Sequence, residues 1–232
     1  MIEMKDTRLQ AIGKHASEIE RKLKEKYAFT DVDSRTEHHE PDELFSENET
    51  IHSFCFILTD MSSDEEIKHT RQLCLEKEEK GCLCFVISVN DDIVEDSTIK
   101  ENAKSFVTVA SNDKLRMLDD FFEIFHDGLL HPGMISLDMN DFRWCMGEGN
   151  RLFAKVIPYE DDIRVAIHSL RALHIEEGDT IMYFQLSTVE QFEDNKELNE
   201  LLEYLTRLPE DMDMKWQLNA SHNHYVGVIN VI

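Results

Sequence analysis

Three carboxylates stand where a chain could do chemistry. Asp60 closes the apolar string SFCFILTD, residues 53–60. The carboxyl end of a strand is where open α/β sheets meet ligand and solvent. Asp138 and Asp141 follow Ser136 in the string ISLDMND. Their spacing suits an N-cap and an acid in the first turn of a helix. The thiols are Cys55, Cys74, Cys82, Cys84 and Cys145. Cys82 and Cys84 share one face if GCLCFVISV is a strand, a spacing that suits neither a zinc knuckle nor a redox pair. An odd count inside apolar segments reads as reduced thiols that pack as small hydrophobes. The His38-His39 pair beside Glu37 and Glu40 reads as a solvated polar loop. His222 and His224 have the alternation of a zinc pair, but no third ligand is evident, so a turn with exposed imidazoles is expected. His131 and Cys145 likewise lack a third catalytic partner.

The elements that must position these groups follow from periodicity. Leu9, Ile12, Ala16, Ile19 and Leu23 step by three and four, which predicts one amphipathic helix over residues 5–27. Residues 30–50 hold eight acids and one Arg without apolar periodicity, and a mobile acidic loop is expected there. SFCFILT, CLCFVISV and SFVTVAS are continuous apolar runs, as buried parallel strands show. A helix ending at Gly81 separates the first two, an acidic loop the next two. This order predicts an α/β doubly wound sheet. RMLDDFFEIFHDGLL reads as a helix with a strong apolar face, and DFRWCMGEG as a short one. The remaining strings NRLFAKVI, DDIRVAIHSLRAL, DTIMYFQLS, NKELNELLEYLTRL, DMKWQLNAS and HYVGVINVI alternate strand and helix and close with two strands. The expected fold is thus a Rossmann-like half with a parallel sheet over residues 1–115. A linking helix and loop over 116–135 and a smaller α+β half over 136–232 complete it.

Several strings in this order resemble the tubulin/FtsZ superfamily, FtsZ most closely. Val109-Ala110-Ser111-Asn112-Asp113-Lys114-Leu115 is similar to the family's Asn-Asp-Lys-Leu strand end. His131-Pro132-Gly133 through Asn140-Asp141-Phe142 resembles its Pro-Gly and the acidic loop that opens the next helix. Met214-Lys215-Trp216 and the run from Tyr225 to Ile232 resemble its last strands. The resemblance spans roughly residues 53–232 and implies a cytoskeletal assembly protein. In the family the acidic loop enters a neighbour's nucleotide pocket and positions the attacking water. Asp138 and Asp141 match its two acids, with Ser136 where the family has Asn, so these three form the candidate interface loop.

The glycine loops do not match. Glycine lets backbone N–H groups approach phosphate closely. The first loop would fall on Ile12-Gly13-Lys14-His15-Ala16-Ser17, where one glycine remains. The second would fall on Thr59 to Glu66, and no glycine lies between Gly13 and Gly81. Asp64, Glu65 and Glu66 would oppose a triphosphate there, whereas they suit a helix N-terminus with Ser62 or Ser63 as cap. The expectation is no GTP, no other cofactor or metal, and no GTPase activity. The role implied is non-catalytic, in prokaryotic division or cytoskeletal assembly, with an FtsZ-like protein or a second copy of the chain as partner. A second reading places Asp60 as the phosphoryl acceptor of a response-regulator receiver domain, with Ser88 and Lys114 as its helpers and Asp31 and Asp33 as acids for Mg²⁺.

Composition narrows the classes further. The chain has 232 residues, 24 Lys+Arg against 48 Asp+Glu, and a formal charge of -24. Such a surface repels phosphate backbones and anionic lipid, so neither nucleic acid nor direct membrane binding is expected. Hydrophobic residues at 41% support a real core. No apolar run is long enough to span a bilayer and the start lacks a secretory pattern, so a cytoplasmic protein is expected.

Overall fold

The computed structural model describes residues 2–4, 7–30, 53–91, 96–109, 111–130, 142, 146, 151–160, 162–173, 181–188, 196–208, 214–220 and 224–231. The chain divides into two compact units, Met1–Phe106 and Val107–Ile232. The acidic stretch 31–50, the acidic loop at 136–141 and the DFRWCMGEG helix (all but Phe142 and Met146) lie outside the described residues.

The first unit opens with β1 (Ile2–Met4), β2 (Thr7–Ile12), α1 (Lys14–Lys26) and β3 (Tyr27–Phe29). It continues with β4 (Ser53–Thr59), α2 (Asp64–Glu79), β5 (Cys82–Ser88), α3 (Ser97–Asn102) and the start of β6 (Ser105–Val109). Its sheet runs β2-β4-β5-β6, with β1 and β3 paired separately in parallel. β2 pairs β4 and β4 pairs β5 in parallel, with Ile12 opposite Thr59 and Cys55 opposite Cys84. The parallel Rossmann-like half is thus as expected. Residues 5–27 are not one helix, however. Leu9 and Ile12 are buried on a strand, and Gly13 at φ 103 breaks the chain before the helix starts. A spacing of three between two buried strand residues imitated a helical step.

β4, β5 and β6 are covered on both faces, whereas β2 is only half-buried at Arg8, Gln10 and Ala11. Phe54, Phe56 and Phe85 stack on one face, with centroids 5.3 Å apart for the pair Phe56–Phe85. Period two turns Cys55, Ile57, Cys82, Cys84 and Val86 to the other face, where Cys74, Ile99 and Phe106 join them. The helix read in EEIKHTRQLCLEKEEKG stops as foreseen, with Gly81 in the left-handed region at φ 74.

The second unit takes over within β6 and adds α4 (Lys114–Phe125), which runs into a π-helical turn at His126–Leu130. β7 (Arg151–Pro158), α5 (Ile163–Ala172), β8 (Ile181–Thr188), α6 (Lys196–Leu205), β9 (Met214–Ala220) and β10 (Tyr225–Val231) follow. The strand order is β6-β7-β10-β8-β9. β10 is antiparallel to both β7 and β8, while β6–β7 and β8–β9 are parallel. This mixed sheet between helices is the α+β half. On one face Phe121, Phe122 and Phe125 of α4 cluster with Phe142. Gly227 admits α4 closely, because a Cβ there would lie 2.8 Å from Ile124. On the other face Val226 and Val228 pack with Ile163, Ile167 and Leu170 of α5 and Leu201 and Tyr204 of α6.

Candidate functional site

In the first unit the strand-to-helix turns after β2 and β4 lie side by side, because Ile12 and Thr59 are register partners. The Asp60 N–H donates to the Ile12 carbonyl at 3.0 Å. That bond delivers the Asp60 side chain to the start of α1. The His15 N–H donates to Asp60 Oδ2 at 2.9 Å and the Ala16 N–H to Oδ1 at 2.6 Å. Helix α1 has no side-chain cap of its own and no acid in its first turn. Its first free N–H groups and the positive end of its dipole are served by a carboxylate from the next strand.

Gly13 is what allows this approach. It sits at φ 103, and a Cβ on it would lie 2.5 Å from the Asp60 carboxyl carbon. On the other side of Asp60, Met61 is buried in the left-handed region at φ 52. Such backbone persists only where its surroundings enforce it. The turn between β4 and α2 is thus bent to aim Asp60 at α1. This is the site that the alignment of Ile12–Ser17 with a phosphate loop marks out. A carboxylate of the chain occupies it.

The neighbouring helix is closed in the same manner. Ser63 caps α2 by accepting from the Glu66 N–H at 3.3 Å. Glu66 Oε2 accepts from the Ser62 N–H at 2.7 Å and from the Ser62 hydroxyl at 2.6 Å. The Ser62 hydroxyl chiefly holds the Glu66 carboxyl below its ordinary range. Asp64 and Glu65 fill out the acidic first turn. Of the acids that the sequence placed at this N-terminus, Glu66 closes the turn onto Ser62, while Asp64 and Glu65 lie at the positive end of the dipole.

The other residues singled out by sequence resolve as follows. Ser136, Asp138, Asp141, His131, Cys145 and His222 lie outside the described residues, as do Asp31, Asp33, His38 and His39. His224 is half-buried, edge-on to Tyr159 at 5.6 Å, not exposed on a turn. Asp113 of the Asn-Asp-Lys-Leu string caps α4 through the Arg116 N–H at 3.1 Å. Ser88 is buried and accepts from the Asn90 N–H at 3.3 Å. The receiver reading meets a competitor for its acceptor. Receiver-type sheets hold their first strand inside an order 2-1-3-4-5. Here β2 pairs β4, and the Thr30 N–H at the end of β3 donates to the Thr7 carbonyl of β2 at 2.8 Å, so strand order does not count against that reading. The Asp60 carboxylate, however, already holds two backbone N–H groups.

A groove with several cations lies between α5 and α6, lined by Arg164, Arg171, Arg207, Glu200, Glu203 and His168. Its arginines are matched: Arg164 to Asp162 and Glu200, Arg207 to Glu203, and Arg171 over the Tyr204 ring. It offers no unbalanced basic surface.

The order β2-β4-β5-β6 is that of one side of a doubly wound parallel sheet. No protein-family model and no curated protein matches this sequence. Solved structures do match its fold. An empty FtsZ dimer from M. jannaschii aligns over 78% of this chain and 63% of its own, at 14% identity and a TM-score of 0.51. A CetZ from Methanosaeta thermophila aligns over 80% and 62%, at 14% identity and a TM-score of 0.54. The chain thus spans a little under two thirds of the length of these structures. By these likenesses, the chain has an FtsZ/tubulin-like fold.

Proposed function

We propose that this chain is a non-catalytic, FtsZ-like assembly or regulatory protein of prokaryotic division or the cytoskeleton, and that it does not bind GTP. The observation that carries the reading is the Asp60 carboxylate on the His15 and Ala16 N–H groups. A nucleotide phosphate at that helix start would have to displace it. A phosphate that did not would face a carboxylate at contact distance, which costs about 4 kcal/mol at an effective dielectric near 20. The acids at the start of α2 act in the same sense.

The interface loop with Ser136, Asp138 and Asp141 supports a one-sided role. In FtsZ-type filaments a nucleotide pocket meets the acidic loop of the next subunit, a heterologous joint that grows open polymers. A subunit with the loop but no working pocket docks on a filament end and receives no further subunit.

Two measurements test this. Calorimetry of the chain with GTP and Mg²⁺ is expected to give no binding heat; a micromolar dissociation constant, about -8 kcal/mol, would overturn the reading. Sedimentation of a cognate FtsZ with GTP is expected to yield shorter polymer when this protein is added below stoichiometry. The Asp138→Ala/Asp141→Ala variant should lose that effect while keeping its melting temperature. Unchanged polymer in both arms removes the capping role.

A further inference from the structure

Helix α2 is held to its sheet by an unusual set of side chains. Its fully buried residues are Thr70, Cys74 and Lys77, and Ile67 and Leu73 add only partly buried surface. Leu75 points outward at 42% exposure. Polar ties make up part of the difference. Thr70 Oγ1 lies 3.1 Å from Thr59 Oγ1, and Arg71 pairs with Asp96 at the start of α3. A helix with so little apolar contact opens at low free energy, well below global unfolding.

Beneath it sits a layer of thiols. Cys55 and Cys84 are register partners on β4 and β5, and Cys74 comes down on them from α2. The Cys84 and Cys74 sulfurs are 3.7 Å apart, at van der Waals contact. All three are essentially without exposure. Cys82 is engaged elsewhere, with the Ser53 hydroxyl at 3.0 Å and the Arg8 guanidinium at 3.9 Å. Hydrogen bonds with Cys55 and Cys74, and then burial, push the Cys84 thiol well above its ordinary value. An environment that disfavours thiolates also disfavours an anionic metal–thiolate complex, whereas a disulfide is neutral. Among the described residues no three such side chains are disposed to hold a metal ion.

We propose that Cys74 and Cys84 form a modification site: a dithiol that a small-molecule disulfide, such as oxidised glutathione, converts into one intramolecular disulfide stapling α2 to β5. The sulfurs must close by about 1.7 Å from their present contact to reach bonding distance. Cys55 is a poorer partner, since it sits on the strand next to Cys84 and a bridge there would strain the ladder. The reaction begins when α2 lifts. The Cys74 thiolate attacks the small disulfide, forms a mixed disulfide and releases one small thiolate. While α2 is still lifted and Cys84 is in water, the Cys84 thiolate attacks the Cys74 sulfur and displaces the second. Two electrons pass to the oxidant, and the two protons leave with its thiols. The protein gains one S–S bond.

The test uses the full chain at about pH 8 with oxidised glutathione, followed by alkylation and non-reducing peptide mapping. The expected product is about 2 Da lighter, linked Cys74 to Cys84, with a melting temperature several degrees higher and slower hydrogen exchange in α2. Dithiothreitol should reverse all three changes. Low urea, short of global unfolding, should speed the reaction. Cys74→Ala and Cys84→Ala should abolish the link, and Cys55→Ala should keep it. Because the main readout is on the unaltered chain, a poorly folding variant does not spoil the test. Glutathione adducts without an internal link, a link through another pair, or no link even where urea opens α2 would each overturn the proposal. So would a link that leaves exchange in α2 unchanged.

Discussion

At the scale of single residues, Gly13 and Asp60 form one device. Ala at position 13 would meet both the left-handed backbone and the Asp60 carboxyl group 2.5 Å away. Gly13→Ala is therefore expected to cost about 2–4 kcal/mol in urea denaturation. Asp60→Gly alone removes a long-range cap and should cost about 1–2 kcal/mol. The double variant should cost less than the two combined, because the clash disappears with the carboxylate and only the strain at Gly13 remains. An additive result would show that the two residues do not meet. Each residue was visible in the sequence, one as the last glycine of a loop and the other as the acid ending a strand. Their contact was not, because it depends on the register that sets Ile12 against Thr59, and register is a tertiary fact. The Gly227 contact with Ile124 was hidden for the same reason.

At the scale of elements, two carboxylates respond to acid in opposite senses. Asp96 caps α3 through the Ile99 N–H at 3.0 Å and also holds Arg71 of α2. The Arg71 hydrogen bond chiefly holds its pKa below the ordinary value. A lowered folded pKa gives stability that is present above the unfolded value near 3.9 and is lost as pH falls through the folded one. Asp96→Asn should therefore lower the melting temperature at pH 7 and flatten its decline below about pH 4. Asp120 on α4 is pushed up, chiefly by burial, and Lys155 at 3.9 Å does not offset this. Its ionised form burdens the folded state at neutral pH, and that burden lifts as pH falls through the raised pKa. Asp120→Asn should raise the melting temperature at pH 7, with a smaller gain at pH 4. Long apolar strands and helices with clear stripes were legible, since burial on both faces leaves continuous hydrophobic runs. β3 and α3 were not. One has three residues and the other six, and the acidic stretch around α3 masks a helix that its Asp96 cap defines better than its apolar pattern.

At the scale of the whole molecule, a charge of -24 opposes both compaction and association with another acidic protein. Raising salt from about 10 to about 300 mM should raise the melting temperature and strengthen any self-association in sedimentation velocity. Insensitivity to salt would mean that the acids are balanced locally. Strand order has a further consequence, for the order of assembly. In the first unit the strands β2-β4-β5-β6 stand in the sheet in the order in which they are made, with only β3 set aside to pair with β1, so the sheet can lengthen as the chain emerges. In the second unit β10 follows β9 in the chain yet lies between β7 and β8, and its Val226 and Val228 complete the core with α5 and α6. That sheet has no centre until β10 has been made. Pulse-labelled exchange should protect β4 and β5 before β7 and β8. A chain ending before Tyr225 should retain a folded first unit and carry an uncovered, aggregation-prone second one. Until β10 emerges, the second unit of each newly made molecule therefore waits half assembled.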